Sequence, residues 1–392
     1  MSAESLPDAR LPVAALAGVI ASVTVFGVAQ GLSYPLFTFL MQKQGMSSGA
    51  IGLSAAMTPL GLMTSALFVP ALVRLLGARG LAVGCATAAA TLFLFVGLTQ
   101  NWLAWYPARF LIGLAVNPLY ILGEVWLIAL APAARRGRIL GVFNAITGAG
   151  YAAGPLTLAV LGTDGWPPLM VGILGFLGCA LILYLTANRL SSFDDGGRHG
   201  GVLHFWLIAP ALMLAVVVSA ATQQSIYSLL PVFGAGYHMP ETTIATLVGI
   251  MSIGNIVLQI PLGLLAERVG GRKMIIACAA ANLCGALLMP LLVTTPLQWP
   301  LLLIMGGVGY GVYTMALVEL GNRFSGSALV AGNAAFGLMW GLGGIIGPPG
   351  SGLFMQFAGP VGLPAVIATL SAILVLFATV RSLMARRGQG LQ

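Results

Sequence analysis

The segment RFLIGLAVNPLYILGEVWLIALAPAARRGR, residues 109–138, begins with an apolar stretch long enough to cross a bilayer, yet this stretch contains an arginine, Arg109, and a glutamate, Glu124. Ionisable side chains are costly in lipid, so these two must face protein or water. The polar and small residues of the segment recur at helical spacing on one face: Arg109, Gly113, Asn117, Tyr120 and Glu124. We therefore predict a helix that lines an aqueous path across a membrane and is kinked near Pro118.

The composition places the chain in a membrane. Of its 392 residues, 59% are hydrophobic and only 7% are Asp, Glu, Lys or Arg, whereas soluble domains carry about 25% charged residues. So few charges cannot cover a soluble surface, and strand-like alternation is absent, which favours an all-α membrane protein over a barrel. The net charge of +8 is scattered between apolar segments and therefore indicates orientation in the membrane rather than nucleic-acid binding.

Twelve apolar segments follow one another along the chain. They lie at about 11–40, 49–72, 80–99, 103–131, 138–162, 166–188, 203–233, 242–266, 272–295, 298–322, 327–356 and 360–384. All Lys and Arg residues except Lys43 and Arg109 fall in the end segments or in alternate loops on one side. The positive-inside rule therefore predicts that both termini are cytoplasmic.

The two halves of the sequence repeat each other at an offset of 193 residues. The offset aligns Gln30 with Gln223, Tyr34 with Tyr227, Gly61 with Gly254, Gly77 with Gly270, Arg79 with Arg272, Cys85 with Cys278, Gly150 with Gly343, and Gly154-Pro155 with Gly347-Pro348. The one long polar connection, RLSSFDDGGRHGGV, separates the copies. We expect six-helix bundles at residues 1–188 and 203–392, a cytoplasmic linker at 189–202, and a site between the two bundles.

The loop between spans eight and nine carries a motif of glycines and charges, GLLAERVGGRK, at residues 263–273. Gly263 and Gly270 would let the helix ends turn tightly, while Glu267 would accept bonds from an arginine or a helix N-terminus. The other motif residues are Arg268 and Arg272. The first-half copy, PALVRLLGAR at 70–79, has Arg74 and Arg79 but no acid, so its cations can also serve orientation alone.

Spans five and eleven share a glycine motif that ends in proline. It reads GAGYAAGP at 148–155 and GLGGIIGP at 341–348, and its key residues are Gly150, Gly154, Pro155, Gly347 and Pro348. Small residues let helices approach closely and proline bends them, as a moving gate requires. Tight packing alone would explain the glycines equally well.

With these motifs on twelve spans, the sequence resembles the major facilitator superfamily over essentially its whole length, and within it uncharacterised bacterial members. The resemblance implies twelve transmembrane helices in two pseudo-symmetric six-helix bundles that work by alternating access. It also implies that the 263–273 loop latches the cytoplasmic gate, that Arg109 with Gly113 belongs to a proton-coupling motif, and that the 148–155 motif marks antiporters. The expected location is the bacterial inner membrane.

Two ionisable side chains are candidates for proton coupling. A buried guanidinium stays charged, so Arg109 needs a carboxylate, a carbonyl or an anionic solute, unless it snorkels to the membrane interface. Glu124 is the best candidate for a protonatable group, because it lies on the polar face without a cation one turn away. The alternative for Glu124 is a structural ion pair with Arg135, Arg136 or Arg138. For Glu319, by contrast, we expect a structural pair with Arg323.

Polar and aromatic residues on inward faces of several spans are candidate solute contacts. They are Gln30, Tyr34, Asn117, Tyr120, Asn144, Tyr151, Gln223, Gln224, Tyr227, Asn255, Gln259, Tyr310, Asn333 and Trp340. Any one of them can instead bond a neighbouring helix, at about 1 kcal/mol, so only the set carries weight.

The sequence as a whole favours a secondary transporter, with proton-coupled efflux of a small amphipathic or aromatic solute as the leading function. The alternative within transport is proton-coupled uptake of a small organic anion, with Arg109 as the counter-ion. A receptor or an enzyme on the same fold is the alternative of another class. Gly45–Gly49 matches G-x-S-x-G, but it precedes a membrane helix and has no histidine nearby, so we expect no enzyme. We expect a monomer that contacts solute, protons and lipid, without nucleic acid, metal or cofactor.

Overall fold

The computed structural model describes residues 13–99, 101–130, 136–186 and 202–389, which form helices and no strand. The helices of the first half are α1 (Val13–Lys43), α2 (Ser48–Leu98), α3 (Trp102–Leu130), α4 (Arg136–Leu161) and α5 (Pro167–Thr186). Those of the second half are α6 (Val202–Ile208), α7 (Pro210–Gly236), α8 (Glu241–Val257), α9 (Gln259–Val269), α10 (Gly271–Leu292), α11 (Gln298–Arg323), α12 (Gly326–Ala358) and α13 (Gly362–Gln389), with a 3-10 turn at Gly359–Val361. The predicted linker lies outside the described residues, apart from Val202.

These helices correspond to twelve membrane crossings. The 51-residue α2 is two crossings joined at Gly77, where the helical backbone angles are interrupted. Helices α8 and α9 form one crossing that is bent by 42°. Eight described helical segments are each apolar and long enough to span a bilayer, and two of them, of 51 and 54 residues, are long enough to span it twice. The fold is therefore an all-α, multi-pass membrane fold.

Two glycines that the 193-residue offset aligns make the same turn in both halves. Gly77 has φ 73° and ψ 155°, and Gly270 has φ 94° and ψ 140°. Residues with a Cβ rarely adopt such positive φ values, so glycine permits the chain to reverse between consecutive crossings here. Gly270 forms the predicted turn and its gating role stays a prediction, whereas Gly263 lies inside α9 and does not form a turn.

The offset also relates the closest helix contacts. A Cβ on Gly61 would lie 2.1 Å from the carbonyl oxygen of Phe110, and a Cβ on Gly254 would lie 1.9 Å from that of Leu303. The reciprocal glycines behave alike, Gly113 at 2.2 Å from Thr58 O and Gly306 at 1.9 Å from Met251 O. Each half thus joins its second and fourth crossings through the same pair of glycines, which confirms the repeat as a repeat of structure.

The halves meet at one end of the molecule. We call the end that holds Lys43 and Glu241 the Lys43 end, and the end that holds Gly77 and Gly270 the Gly77 end. At the Lys43 end, Ser48 Oγ donates to Gly352 O at 2.8 Å across the α2–α12 contact. Nearby, Thr38 Oγ1 on α1 donates to Ser228 O on α7 at 2.6 Å.

Specific helices of one half contact helices of the other. Helices α2 and α12, α4 and α8, and α1 and α7 pack together. In the described part of the chain, α3 does not pack along α12, and α4 does not pack along α11. The contacts between the halves named above lie at the Lys43 end, so the halves are joined there.

Candidate functional site

Arg109 is buried, with 1% of its surface exposed, where α3 packs on α2. Its Nη1 donates to Ser54 Oγ at 3.4 Å and its Nε to Thr58 Oγ1 at 3.5 Å. The guanidinium lies 4.8 Å from the ring centre of Phe37 and 5.8 Å from that of Tyr34. Nη2 has no hydrogen-bond partner among the described residues. This burial excludes the alternative that Arg109 snorkels to the membrane interface.

The first part of the predicted polar face of α3 lies against α2 and not against open space. Asn117 Nδ2 donates to Leu62 O at 2.9 Å and to Ser65 Oγ at 2.8 Å, so this amide holds α3 on α2. Gly113 allows the two backbones to approach. Helical spacing predicted that these residues share a polar face of α3. It could not show whether a neighbouring helix or water covers that face.

The second part of the same face contributes to an aromatic cluster. The ring of Tyr120 lies 5.1 Å from that of Phe26 on α1 and 6.0 Å from that of Phe143 on α4. Tyr151 on α4 lies 6.3 Å from Phe26 and 6.2 Å from Tyr227 on α7. The Tyr151–Tyr227 contact therefore joins aromatic side chains of the two halves.

The second half adds three more rings on α11 and α12. Tyr310 and Tyr313 lie 5.3 Å apart, and Trp340 lies 5.7 Å from the first and 5.0 Å from the second. We call the following residues the aromatic cluster: Phe26, Tyr120, Phe143, Tyr151, Tyr227, Tyr310, Tyr313 and Trp340. The sequence analysis missed Phe26, Phe143 and Tyr313, although Tyr313 follows Tyr310 at helical spacing.

Glu124 is a half-buried carboxylate beside this cluster. It is close enough to Tyr120 and Tyr313 for charges on these groups to interact, and the two tyrosines belong to opposite halves. No hydrogen bond or ion pair joins Glu124 to another described residue. The side chains of Arg135, Arg136 and Arg138, its alternative partners, lie outside the described part.

Three glutamines, one on α1 and two on α7, are buried. Gln30 is 1% exposed, and neither its amide nitrogen nor its amide oxygen has a partner among the described residues. Gln224 is 8% exposed, its side chain lies beside Tyr34, and its Oε1 is without a described donor. Gln223 Nε2 instead donates to Gly306 O at 3.3 Å.

The remaining candidate contacts fall into different surroundings. Tyr227 shares a 2.7 Å hydrogen bond with Ser252 Oγ. Gln259 Nε2 lies 3.4 Å from Asn255 Oδ1 and 3.3 Å from Gly307 O, so these amides bond within the second half. Asn333 is exposed. The side chain of Asn144 lies outside the described residues.

The glycine motifs of spans five and eleven pack within each half. A Cβ on Gly154 would lie 2.3 Å from Leu32 N on α1, and one on Gly347 would lie 2.5 Å from Ala221 O on α7. Gly150 makes a similar approach to α1, and Pro155 and Pro348 lie inside α4 and α12. These contacts support the packing interpretation, and a gating role stays a prediction.

The charged residues of the predicted loops at 70–79 and 263–273 have different surroundings. Arg79 Nη2 donates to Tyr184 O at 2.5 Å, and its guanidinium lies 4.5 Å from the Tyr184 ring centre. Arg74, Glu267 and Arg268 are exposed, and Arg272 is half-buried. The predicted ion pair between Glu319 and Arg323 is confirmed, because Arg323 Nε donates to Glu319 Oε1 at 2.7 Å. Glu319 also faces Gly271 at the first turn of α10, where a helix dipole favours an anion.

A bridge at the Lys43 end connects the halves. Lys43 Nζ at the end of α1 donates to Asp164 Oδ1 at 2.6 Å and to Thr163 Oγ1 at 2.7 Å. It also lies 3.2 Å from Glu241 Oε2 at the start of α8, and Thr163 bonds the same carboxylate. We call these four residues the Lys43 bridge. The sequence feature that could have indicated this bridge is that Lys43 is the one Lys or Arg in the loops of the opposite, cation-poor side.

Comparisons with known proteins agree with this architecture. The Major Facilitator Superfamily model matches residues 19–320 and, in a second match, 212–389. The uncharacterized MFS-type transporter YfkF of Bacillus subtilis (strain 168) is 24% identical over 347 residues, which cover 85% of this chain and 87% of YfkF. The uncharacterized MFS-type transporter Ent638_1421 of Enterobacter sp. (strain 638) is 25% identical over 291 residues, 72% of this chain and 73% of that protein.

Solved transporters have the same fold. The nucleoside transporter NupG superposes with a TM-score of 0.74 at 15% identity, covering 94% of this chain and 98% of NupG. A bacterial homolog of the human lysosomal transporter Spinster, in an inward-facing and unoccupied conformation, has a TM-score of 0.73 at 13% identity and covers 95% of each chain. The matching proteins are transporters and not enzymes. This chain belongs to the Major Facilitator Superfamily and is a multi-pass transporter of the alternating-access type.

Proposed function

We propose that the protein is a proton-coupled antiporter that exports a small amphipathic or aromatic organic solute. The observation that carries this proposal is the aromatic cluster, which contains rings from both halves and has Glu124 beside Tyr120 and Tyr313. Offset and edge-on contacts between rings are favourable at about 1 kcal/mol each, so the same faces can exchange partners with an aromatic solute.

Glu124 is the proposed proton site. Glu124 lies beside aromatic side chains and has no described cation that would stabilise its charged form. The affinity of Glu124 for a proton therefore depends on which groups occupy the aromatic cluster. Since Tyr120 and Tyr313 come from opposite halves, a change in the charge of Glu124 affects residues of both halves. This places the proton and the solute in competition for one region, which is the arrangement that antiport needs.

The direction of the proposed transport follows from orientation. The positive-inside rule assigns the Gly77 end to the cytoplasm, and the Lys43 bridge connects the halves at the opposite end. Solute would then enter the aromatic cluster from the cytoplasm and leave after the halves close behind it. Both termini would be cytoplasmic, and the protein would act as a monomer in the bacterial inner membrane.

The test uses purified protein in proteoliposomes and one aromatic skeleton in three charge forms. The probes are naphthalene-2-carboxylate, naphthalene-2-carboxamide and (2-naphthyl)methylammonium. An imposed gradient of a transported probe should move protons in the opposite direction, as a trapped pH dye reports. Movement of protons in the same direction as the probe would indicate uptake by symport and contradict the proposal, as would transport without proton movement. Protein-free liposomes give the passive leak of each probe.

A further inference from the structure

We propose that Arg109, together with Gln30 and Gln224, binds an anionic group, such as a carboxylate, of the transported aromatic solute. This inference rests on the proposed function and names the chemical class of its solute. The aromatic part of the solute would lie in the aromatic cluster, and its charged end would lie toward the Lys43 end.

The surroundings of Arg109 call for an anion. Burying a cation is costly unless a counter-charge or strong hydrogen bonds compensate. Here the two neutral hydroxyl acceptors, Ser54 and Thr58, lie at the long limit of hydrogen bonding, at 3.4 and 3.5 Å. No described carboxylate bonds Arg109, and its Nη2 has no described partner. A guanidinium presents parallel N–H donors that match the two oxygens of a carboxylate.

Two glutamine side chains with unpartnered amide atoms lie on the elements around Tyr34. Gln30 lies one helical turn from Tyr34 on α1, so both side chains share a face, and neither polar atom of the Gln30 amide has a described partner. Tyr34 lies against Arg109, and the side chain of Gln224 lies beside Tyr34. Unpartnered polar groups at this depth are uncommon in folded proteins, and amide N–H groups are good donors to an anion. Because Gln224 belongs to the second half, an anion at this place would contact both halves.

Charge along α3 supports the assignment. Arg109 and Glu124 are 15 residues apart on one helix, which corresponds to about 22 Å along its axis. The carboxylate is therefore too distant to neutralise the guanidinium. Tyr34 and Tyr106, the titratable groups nearest to Arg109, are uncharged phenols when protonated. The positive charge of Arg109 thus disfavours a cationic solute beside it and favours an anionic one.

Arg109 is sealed in this conformation, so an anion would reach it when the surrounding side chains and the halves have moved. Binding that depends on a second conformation is expected for a transporter site. The inference therefore predicts selectivity between ligands that share shape and differ in charge.

The experiment compares the three naphthalene probes by equilibrium dialysis against detergent-purified, full-length protein. We expect the wild type to bind the carboxylate at least about ten-fold more tightly than the carboxamide. Arg109→Gln should remove this preference, so that the variant binds the carboxylate no more tightly than the carboxamide. Arg109→Lys should retain part of the preference, because it keeps the charge but loses the fork of donors. Asn282→Ala, whose amide donates to Ser371 Oγ at 3.0 Å within the second half, is the matched control and should keep the full preference.

Each outcome bears on the inference. Equal or tighter binding of the carboxamide or the ammonium by the wild type would overturn it, as would a preference that survives in Arg109→Gln. Failure of the wild type to bind any of the three probes would also count against it. The comparison among probes needs no variant, so it stands if Arg109→Gln does not fold. Proton antiport of the ammonium or carboxamide would leave the proposed function intact and overturn only the anionic class.

Discussion

Burial separates the roles of the two ionisable side chains on α3. Arg109 lies sealed between α2 and the rings of Tyr34 and Phe37, whereas Glu124 is half-buried beside tyrosines of both halves. A guanidinium remains charged at any physiological pH, so Arg109 suits a constant electrostatic role. A carboxylate can bind and release a proton, and Glu124 is therefore the residue proposed to link solute movement to pH.

Single glycines at the closest helix contacts decide whether each half can pack. Gly61→Ala and Gly254→Ala should each destabilise the protein, by about 1–3 kcal/mol, because the added methyl group would overlap the carbonyl of Phe110 or Leu303. Thermal unfolding in detergent measures the effect. Gly84→Ala on α2 is the matched control, since a Cβ there would meet nothing within 4 Å. Equal stabilities for all three variants would contradict the packing described.

At the scale of elements, the Lys43 bridge ties α1 and the α4–α5 connection to α8. An ion pair at a partly exposed site contributes little to overall stability, but it biases the equilibrium between open and closed arrangements of the halves. We therefore expect Lys43→Gln and Glu241→Gln to open the Lys43 end, with little change in the unfolding temperature.

Pulsed electron paramagnetic resonance checks this prediction with spin labels at Leu98 and Phe357. These residues lie at the ends of α2 and α12 at the Lys43 end and are 67% and 80% exposed. The inter-label distance should lengthen in each single variant and return toward the wild-type value in the Lys43→Glu/Glu241→Lys double variant. Unchanged distances in the single variants would show that the bridge does not hold this end closed.

Elements also show how far the sequence could predict the structure. The crossings, the offset of 193 residues and the turn at Gly270 follow from local composition and glycine chemistry, so they were predictable. The partners of Arg109 and Asn117 on α2 were not, because spacing on one helix gives a face but not the neighbour that covers it. Lys43 and Glu241 are 198 positions apart in the chain, and only tertiary packing brings them together.

For the whole molecule, the repeat explains how two similar bundles enclose one unsymmetrical site. The glycines that fix each bundle obey the offset, whereas Arg109 and Glu124 do not, since the offset places Leu302 opposite Arg109 and Leu317 opposite Glu124. Symmetry therefore belongs to the scaffold, and the proposed chemistry belongs to the first half. Rings from both halves complete the site, so its shape depends on how the halves are placed.

The most direct test of the account is probe accumulation driven by an imposed pH gradient in proteoliposomes, compared between wild type and Glu124→Gln. The account predicts that the variant still exchanges the transported naphthalene probe across the membrane but loses most of its accumulation against the probe gradient. Glu319→Gln, in which the carboxylate removed is one paired with Arg323, is the control and should accumulate probe like the wild type. Accumulation by Glu124→Gln equal to that of the wild type would contradict the assignment of Glu124 as the coupling group.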